Sequence, residues 1–204
     1  MDKPVIGLTG PTGAGKTTVA AAFRRHGCAV VDADRIARDV VSRPQCRDGL
    51  RAAFGGEIFR RYGSLDRRKL AEVAFSSPEN TKKLNAVTHP AIIAESEKKI
   101  AAARAGGCRA VILDAPLLFE SGAERLCDAT VAVITPDASR LRRIIARDGL
   151  PEATARVRMA AQHGNGYFRA RADYLFDGDA EWRFFYPAAE ALLNRILGDL
   201  NEKA

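Results

Sequence analysis

The sequence is poor in the residues that build metal cages and disulfide frameworks. It has four cysteines, Cys28, Cys46, Cys108 and Cys127. No two form a Cys-x-x-Cys pair and none stands near a histidine at zinc-ligand spacing, which argues against a structural zinc module. They read as reduced thiols of a cytosolic protein. The three histidines, His26, His89 and His163, are widely separated and match no metal or triad pattern. No apolar run approaches the roughly 20 residues of a membrane-spanning helix. Met1-Asp2-Lys3-Pro4 leads straight into a strand pattern without the apolar stretch of a signal peptide. The expectation is a cytoplasmic protein made without processing, with no membrane partner. Aromatic residues make up 7%, and Trp182, Phe184, Phe185 and Tyr186 cluster near the C-terminus instead of alternating with basic residues. That distribution does not suit a nucleic-acid stacking platform. Internal repeats and low-complexity segments are also missing.

What is present is ordinary for a globular protein: 47% hydrophobic and 28% charged residues in 204. This length supports one well-cored domain with room for a small insert. The net charge of +7 points to anionic partners. Arginines crowd into residues 47–68 and 140–171, which argues for localised anion sites.

Short apolar runs alternate with helical patterns, the signature of an α/β protein. Candidate strands lie at 5–8, 29–31, 110–113, 130–134 and, more weakly, 174–176. Runs apolar throughout suit a parallel sheet covered on both faces. Between the second and third strands, helical patterns at 47–54, 67–75 and 78–104 fill a span too long for a crossover helix. Ser77 before Pro78 is a helix start, and Gly106-Gly107 ends the stretch. After the fourth strand, Thr135-Pro136-Asp137 opens a helix that Gly149 closes. Pro151 opens a second helix reaching about residue 162. A final helix spans about 186–200.

The strongest motif is Gly10-Pro11-Thr12-Gly13-Ala14-Gly15-Lys16-Thr17, a G-x-x-x-x-G-K-[ST] phosphate loop between a strand and a helix. Its backbone N–H groups turn inward around phosphate, with the helix N-terminus adding positive potential. Gly13, Ala14, Gly15, Lys16, Thr17 and Thr18 are therefore the candidate ATP-binding residues. Lys16 would reach the β and γ phosphates and Thr17 would bind Mg²⁺. The expected fold is α/β: a three-layer P-loop NTPase fold with a five-stranded parallel sheet, an inserted helical substrate domain and a helical lid. The corresponding segments are a core of 1–43, 108–137 and 172–204, an insert of 44–107 and a lid of 138–171.

Asp32-Ala33-Asp34 follows the second strand, at the edge where open α/β sheets bind ligands. Asp32 is a candidate partner of Mg²⁺ or its waters, and Asp34 a candidate acceptor of a substrate hydroxyl proton. Asp34 and Arg38 share a helix face at i and i+4. Four apolar residues ending in Asp114 resemble a Walker B strand. Arg140, Arg143 and Arg147, at i, i+3 and i+7, are expected to form an open guanidinium face opposite Leu141, Ile144 and Ile145. Arginines on a closing lid can stabilise phosphoryl transfer.

In order and spacing these motifs resemble the dephospho-CoA kinase family over nearly the whole chain. The resemblance runs through Ile6-Gly7-Leu8-Thr9-Gly10, Asp32-Ala33-Asp34-Arg35-Ile36-Ala37-Arg38, Leu65-Asp66-Arg67-Arg68, His89-Pro90, Pro116-Leu117-Leu118-Phe119-Glu120, Arg147-Asp148-Gly149, Ala160-Ala161-Gln162 and Ala172-Asp173. It implies a nucleoside-kinase-like core with a helical CoA-binding domain and a lid. It also implies ATP-dependent phosphorylation of the ribose 3′-hydroxyl of dephospho-CoA. No nucleic-acid partner is expected, and the oligomeric state stays open, with a monomer favoured. By this resemblance Asp34 is the base, with Lys16, Arg143 and Arg147 as its catalytic companions. Arg38, Arg67, His89, Leu117 and Glu120 fall to the acceptor. Two stretches differ from the family pattern: His163-Gly164-Asn165-Gly166-Tyr167-Phe168 where charged residues are usual, and Gly178 where asparagine is common. Two other readings share the phosphate loop: a small kinase for a nucleoside or sugar-like hydroxyl, and a nucleic-acid-binding ATPase. A regulatory pseudo-kinase is disfavoured because Lys16, Thr17 and Asp34 are all present.

Overall fold

Five short strands, each apolar enough to be covered on both faces, form one parallel sheet: β1 (Val5–Thr9), β2 (Ala29–Asp32), β3 (Val111–Asp114), β4 (Ala129–Ile134) and β5 (Tyr174–Asp177). The computed structural model describes residues 3–202, so Met1-Asp2 and the last two residues lie outside it. Strand order is β2-β3-β1-β4-β5, with β1 central as a phosphate loop after it requires. All five strands expected from the sequence form, with ends shifted by a residue.

Contacts divide the chain into two units, residues 1–32 with 100–204, and residues 33–99. In the first, α1 (Lys16–Arg25) and α9 (Trp182–Glu202) cover one face of the sheet. Val131 and Val133 of β4 join Val19, Phe23, Phe185, Leu193 and Ile196 there. Ala132 and Ile134 point to the opposite face and pack on Phe168 of α8 (Asn165–Arg169). This period of two makes the sheet the middle layer of three. Each fully buried side chain such as Phe23 or Leu193 contributes about 1.5–3 kcal/mol. A helical hairpin follows β4: α6 (Asp137–Asp148), then α7 (Glu152–Ala160), joined by Gly149 in the left-handed region and clamped by Leu141, Ile144 and Ala155.

The second unit is helical: α2 (Ala33–Val40), α3 (Pro44–Phe54), α4 (Arg67–Ala74) and most of α5 (Pro78–Arg104). Asp66 caps α4 by accepting from the N–H groups of Arg68 and Lys69, and Ser77 Oγ accepts from Asn80 N at the start of α5. Ile36, Val40, Leu50, Ile58, Leu70 and Ile93 are buried. The unit begins with α2 at Ala33, whereas the sequence segmentation left α2 with the core and began the insert at residue 44.

Two helices differ from expectation: α8 (Asn165–Arg169) was not read from the sequence, and the last starts early. The last begins at Trp182, not near 186, and carries Pro187 inside it. Proline usually marks a boundary, but here Phe185 is buried against Phe176, with ring centroids 5.1 Å apart. That packing holds the turn before Pro187 in the helix.

Candidate active site

The chain between β1 and α1 forms a loop with the N–H of Ala14 bonded to the carbonyl of Pro11 at 3.1 Å. Gly15 ends it at φ 96°, a left-handed conformation in which any side chain would be strained. α1 starts without a side-chain cap and without an acidic residue in its first turn. Its first N–H groups and its dipole are thus left for an anion. Thr17 is exposed and Lys16 partly buried at this helix start.

Lys16 Nζ forms an ion pair with Asp114, their side chains 16% and 14% exposed. Asp114 ends β3, where it is the register partner of both Leu8 on β1 and Asp32 on β2. Lysine and two carboxylates therefore belong to three adjacent strand ends. The sequence placed Asp32 and Asp114 there separately; the register brings them side by side.

α6 braces the loop from the other side. The carbonyl of Thr12 accepts from Arg140 Nε at 2.9 Å, and its N–H donates to Gln162 Oε1 at 2.9 Å. Arg140 is only 2% exposed, with Nη1 on Asp137 at 2.9 Å and Nη2 buried without a hydrogen-bond partner. Burial pulls its guanidinium below the ordinary arginine range, against the pull of Asp137. The expected open face is corrected here, because Arg140 is a buried clamp on the phosphate loop. Helical spacing alone does not tell a solvated arginine from one that has an acceptor to turn towards.

Arg143, half-buried, donates from Nη2 to the carbonyl of Gly178 at 2.9 Å and to Asp179 Oδ1 at 3.0 Å. Its Nη1 lies 3.4 and 3.5 Å from the carbonyls of Gly13 and Ala14. Arg147 is exposed and held by its neighbour, with Nε and Nη2 donating to Asp148 at 2.8 and 2.9 Å. Arg147 and then Arg158 hold the Asp148 carboxyl below the usual range. Arg143 thus borders the loop while Arg147 belongs to a network on the hairpin.

Gly178 explains its own identity. A Cβ there would overlap the carbonyl oxygen of Ala14 and lie 2.5 Å from Thr135 Oγ1. The turn after β5 therefore rests directly on the phosphate loop, with no room for asparagine. The glycine-rich stretch after Gln162 is also ordered. Asn165 Nδ2 donates to the carbonyl of Thr135 at 2.9 Å, and His163 stacks on Tyr167 at 3.7 Å. His163 Nε2 stands 3.9 Å from Glu120 Oε1, on the exposed segment that includes Leu117.

In the helical unit, Asp34 is exposed in the first turn of α2, with Arg38 exposed one turn later. Arg67 Nη2 donates to the carbonyl of Arg38 at 2.8 Å and to Ser42 Oγ at 3.2 Å. Two of the expected acceptor residues are thereby brought together. His89 is half-buried on α5, and burial pulls its imidazole below the ordinary value.

The Dephospho-CoA kinase family model matches residues 4–183, which contain every site residue described above and stop just inside α9. The chain belongs to the dephospho-CoA kinase family. It is an ATP-dependent phosphotransferase. The dephospho-CoA kinase of Corynebacterium glutamicum is 39% identical over 197 residues, covering 96% of this chain and 98% of that one. A crystal structure from Thermus thermophilus matches with a TM-score of 0.80 at 32% identity, covering 98% of this chain and 99% of the other. The dephospho-CoA kinase of Campylobacter jejuni, at 23% identity, shares the fold with a TM-score of 0.70 over 96% and 98%.

Two residues that brace the site were not singled out as such from the sequence. Arg140 was expected on an open guanidinium face, and Gln162 appeared only as the end of a helix. Only Gln162 had a usable signal, since a polar residue just past a helix end often caps something else.

Proposed function

We propose that the phosphate loop and Lys16 hold the transferring end of ATP while Asp34 receives the acceptor hydroxyl. The chain phosphorylates dephospho-CoA to CoA, the γ-phosphoryl of ATP passing to the ribose 3′-hydroxyl and leaving ADP. The observation that carries the assignment is the uncapped start of α1, formed after a left-handed glycine and set beside the Lys16–Asp114 pair.

In this reading Gly13, Ala14, Gly15, Lys16, Thr17 and Thr18 surround the polyphosphate, with the N–H groups not already bonded within the loop turned to it. Lys16 exchanges its Asp114 partner for phosphate oxygens. Arg143, already beside the loop, adds charge where the equatorial oxygens gain it. Asp34 orients the 3′-hydroxyl and accepts its proton late, after the O–P bond has largely formed.

Mg²⁺ would be held by the Thr17 hydroxyl and, partly through water, by Asp32, and would neutralise phosphate charge. The donor set fits this ion. Among the described residues no group of three or more His, Cys, Asp or Glu side chains is placed to hold a metal. A hydroxyl with one or two carboxylates is the sparse oxygen site of a cation that keeps its waters and substrate oxygens.

Recognition of dephospho-CoA we assign to Arg38, Arg67, His89, Leu117 and Glu120, with residues 44–107 as the CoA-binding helices and 138–171 as the lid. The bond from Arg67 to the Arg38 carbonyl supports the grouping, since it brings the Arg67 guanidinium to the chain at Arg38. Among the described residues no helix is long and apolar enough to cross a membrane, in keeping with a cytoplasmic site of action.

The test is a coupled ADP-release assay with dephospho-CoA, nucleosides, shikimate and gluconate as acceptors. Dephospho-CoA should be preferred in kcat/KM by at least about 100-fold, a gap that polar recognition readily provides. Equal turnover of any other acceptor would overturn the reading.

The two arginines should also separate. Arg143→Ala should lower kcat by about 10- to 100-fold, with a smaller loss of ADP affinity. Arg147→Ala should do less, because its charge is shared with Asp148. Steady-state kinetics with ADP calorimetry decide this, and an unchanged kcat in Arg143→Ala would return that residue to a structural role.

A further inference from the structure

Beside the phosphate loop lies a cavity of about 320 Å³, lined by Gly15, Thr18, Arg143, Gly178, Trp182 and Phe185 among others. Its size falls at the lower end of small-molecule sites, about 300–1,000 Å³. Two of its walls belong to the phosphate loop and the first turn of α1, so it is continuous with the anion site. Its lining also includes Trp182, the first residue of α9 and the chain's single tryptophan.

Trp182 is 67% exposed, yet its ring is braced. It lies near-parallel to the buried Phe185 ring, with centroids 6.1 Å apart and planes at 23°, and meets Tyr186 edge-on at 5.1 Å. Tyr186 in turn carries the guanidinium of Arg25 at 4.6 Å. An indole held on one side and open on the other, at the mouth of a cavity that begins at a phosphate loop, is a platform for a flat ring.

We propose that Trp182 is the stacking platform for the nucleobase of the phosphate donor. The proposal rests on the reading of residues 10–18 as the ATP phosphate site and adds the residue that holds the other end of the molecule. Stacking on an indole does not read hydrogen-bonding edges, so the platform favours large flat bases over small ones. Purine nucleotides therefore bind better than pyrimidine nucleotides of the same charge.

Because Trp182 is the only tryptophan, its fluorescence reports the event directly. ADP with Mg²⁺ should quench it saturably, and inorganic tripolyphosphate should displace ADP while leaving the indole emission near that of the free protein. Trp182→Leu should weaken ADP binding, measured by calorimetry, by about 5- to 100-fold. Trp182→Phe should keep most of the affinity, and KM for dephospho-CoA should stay within about two-fold in both, a modest change in binding terms. Tripolyphosphate affinity should be the same in all three proteins. Undiminished ADP affinity in Trp182→Leu, with tripolyphosphate still competing, would overturn the platform and leave the phosphate site standing. Failure of tripolyphosphate to displace ADP from the unaltered protein would remove the phosphate-site reading and the platform with it.

Discussion

Lys16→Ala should reduce kcat for phosphoryl transfer by at least about 100-fold, since one aimed charge or donor is worth about 10²–10³ in comparable sites. The physical case begins with where the ammonium sits. It is at the start of an uncapped helix, mostly buried, just after the strand that lies between β3 and β4. A charge in such a place acts at a low effective dielectric and needs little reorganisation when phosphate charge develops. Its removal has a second consequence, because Asp114 would then be left largely buried without its cation. Loss of turnover could thus follow from loss of fold. Two measurements separate them. The thermal midpoint of Lys16→Ala should fall, and that of Lys16→Ala/Asp114→Asn should recover, because the buried carboxylate charge is gone. Turnover should recover in neither. If turnover survives in Lys16→Ala, the loop is a structural turn and the proposed mechanism loses its main electrostatic element.

Much of this was legible in the residues, for reasons that differ by element. The strands could be read because each is a short, mostly apolar run between turn residues, most clearly in the central β1, β3 and β4. α5 could be read at both ends because Ser77-Pro78 and Gly106-Gly107 are strong local punctuation. The phosphate loop was visible because its glycines and lysine are required by backbone geometry within eight residues. What could not be read depends on partners far away in sequence. Arg140 turns inward to a carbonyl on the loop at Thr12, and nothing within α6 announces that acceptor. Gly178 is forced by Ala14 and Thr135, which reach it only once β5 is laid beside β4. The stretch after Gln162 departs from the charged pattern usual in the family, so its contacts could not be read from the sequence. Asn165, Tyr167 and Phe168 anchor it through one amide and two rings. Local punctuation was readable, while long-range pairing of polar groups was not.

The two aspartates of Asp32-Ala33-Asp34 should separate by what their loss disturbs. Asp32 ends β2 as the register neighbour of Asp114, so its carboxylate belongs to the strand edge that also carries the Lys16 pair. Asp34 is one residue into α2, exposed in its first turn, with Arg38 on the same face one turn later. A ribose hydroxyl is a poor nucleophile, and an aspartate of ordinary pKa, about 3.9, is a weak base. In a loose transition state the proton leaves late, so the carboxylate chiefly orients the hydroxyl and accepts the proton afterwards. Asparagine keeps the shape and one acceptor oxygen but has no charge with which to take that proton. Asp34→Asn should therefore lower kcat by about 10²–10⁴, the usual range for a positioned acid or base, with little change in ADP or Mg²⁺ affinity. Asp32→Asn should leave a larger share of kcat at saturating metal and raise the Mg²⁺ concentration needed for half-maximal rate several-fold. Rate measurements across a Mg²⁺ titration, with ADP binding measured alongside, distinguish the two. A shifted metal requirement in Asp34→Asn together with an unshifted one in Asp32→Asn would reverse the assignment. The metal would then belong to the start of α2, and the base would have to be sought among the carboxylates at the strand ends.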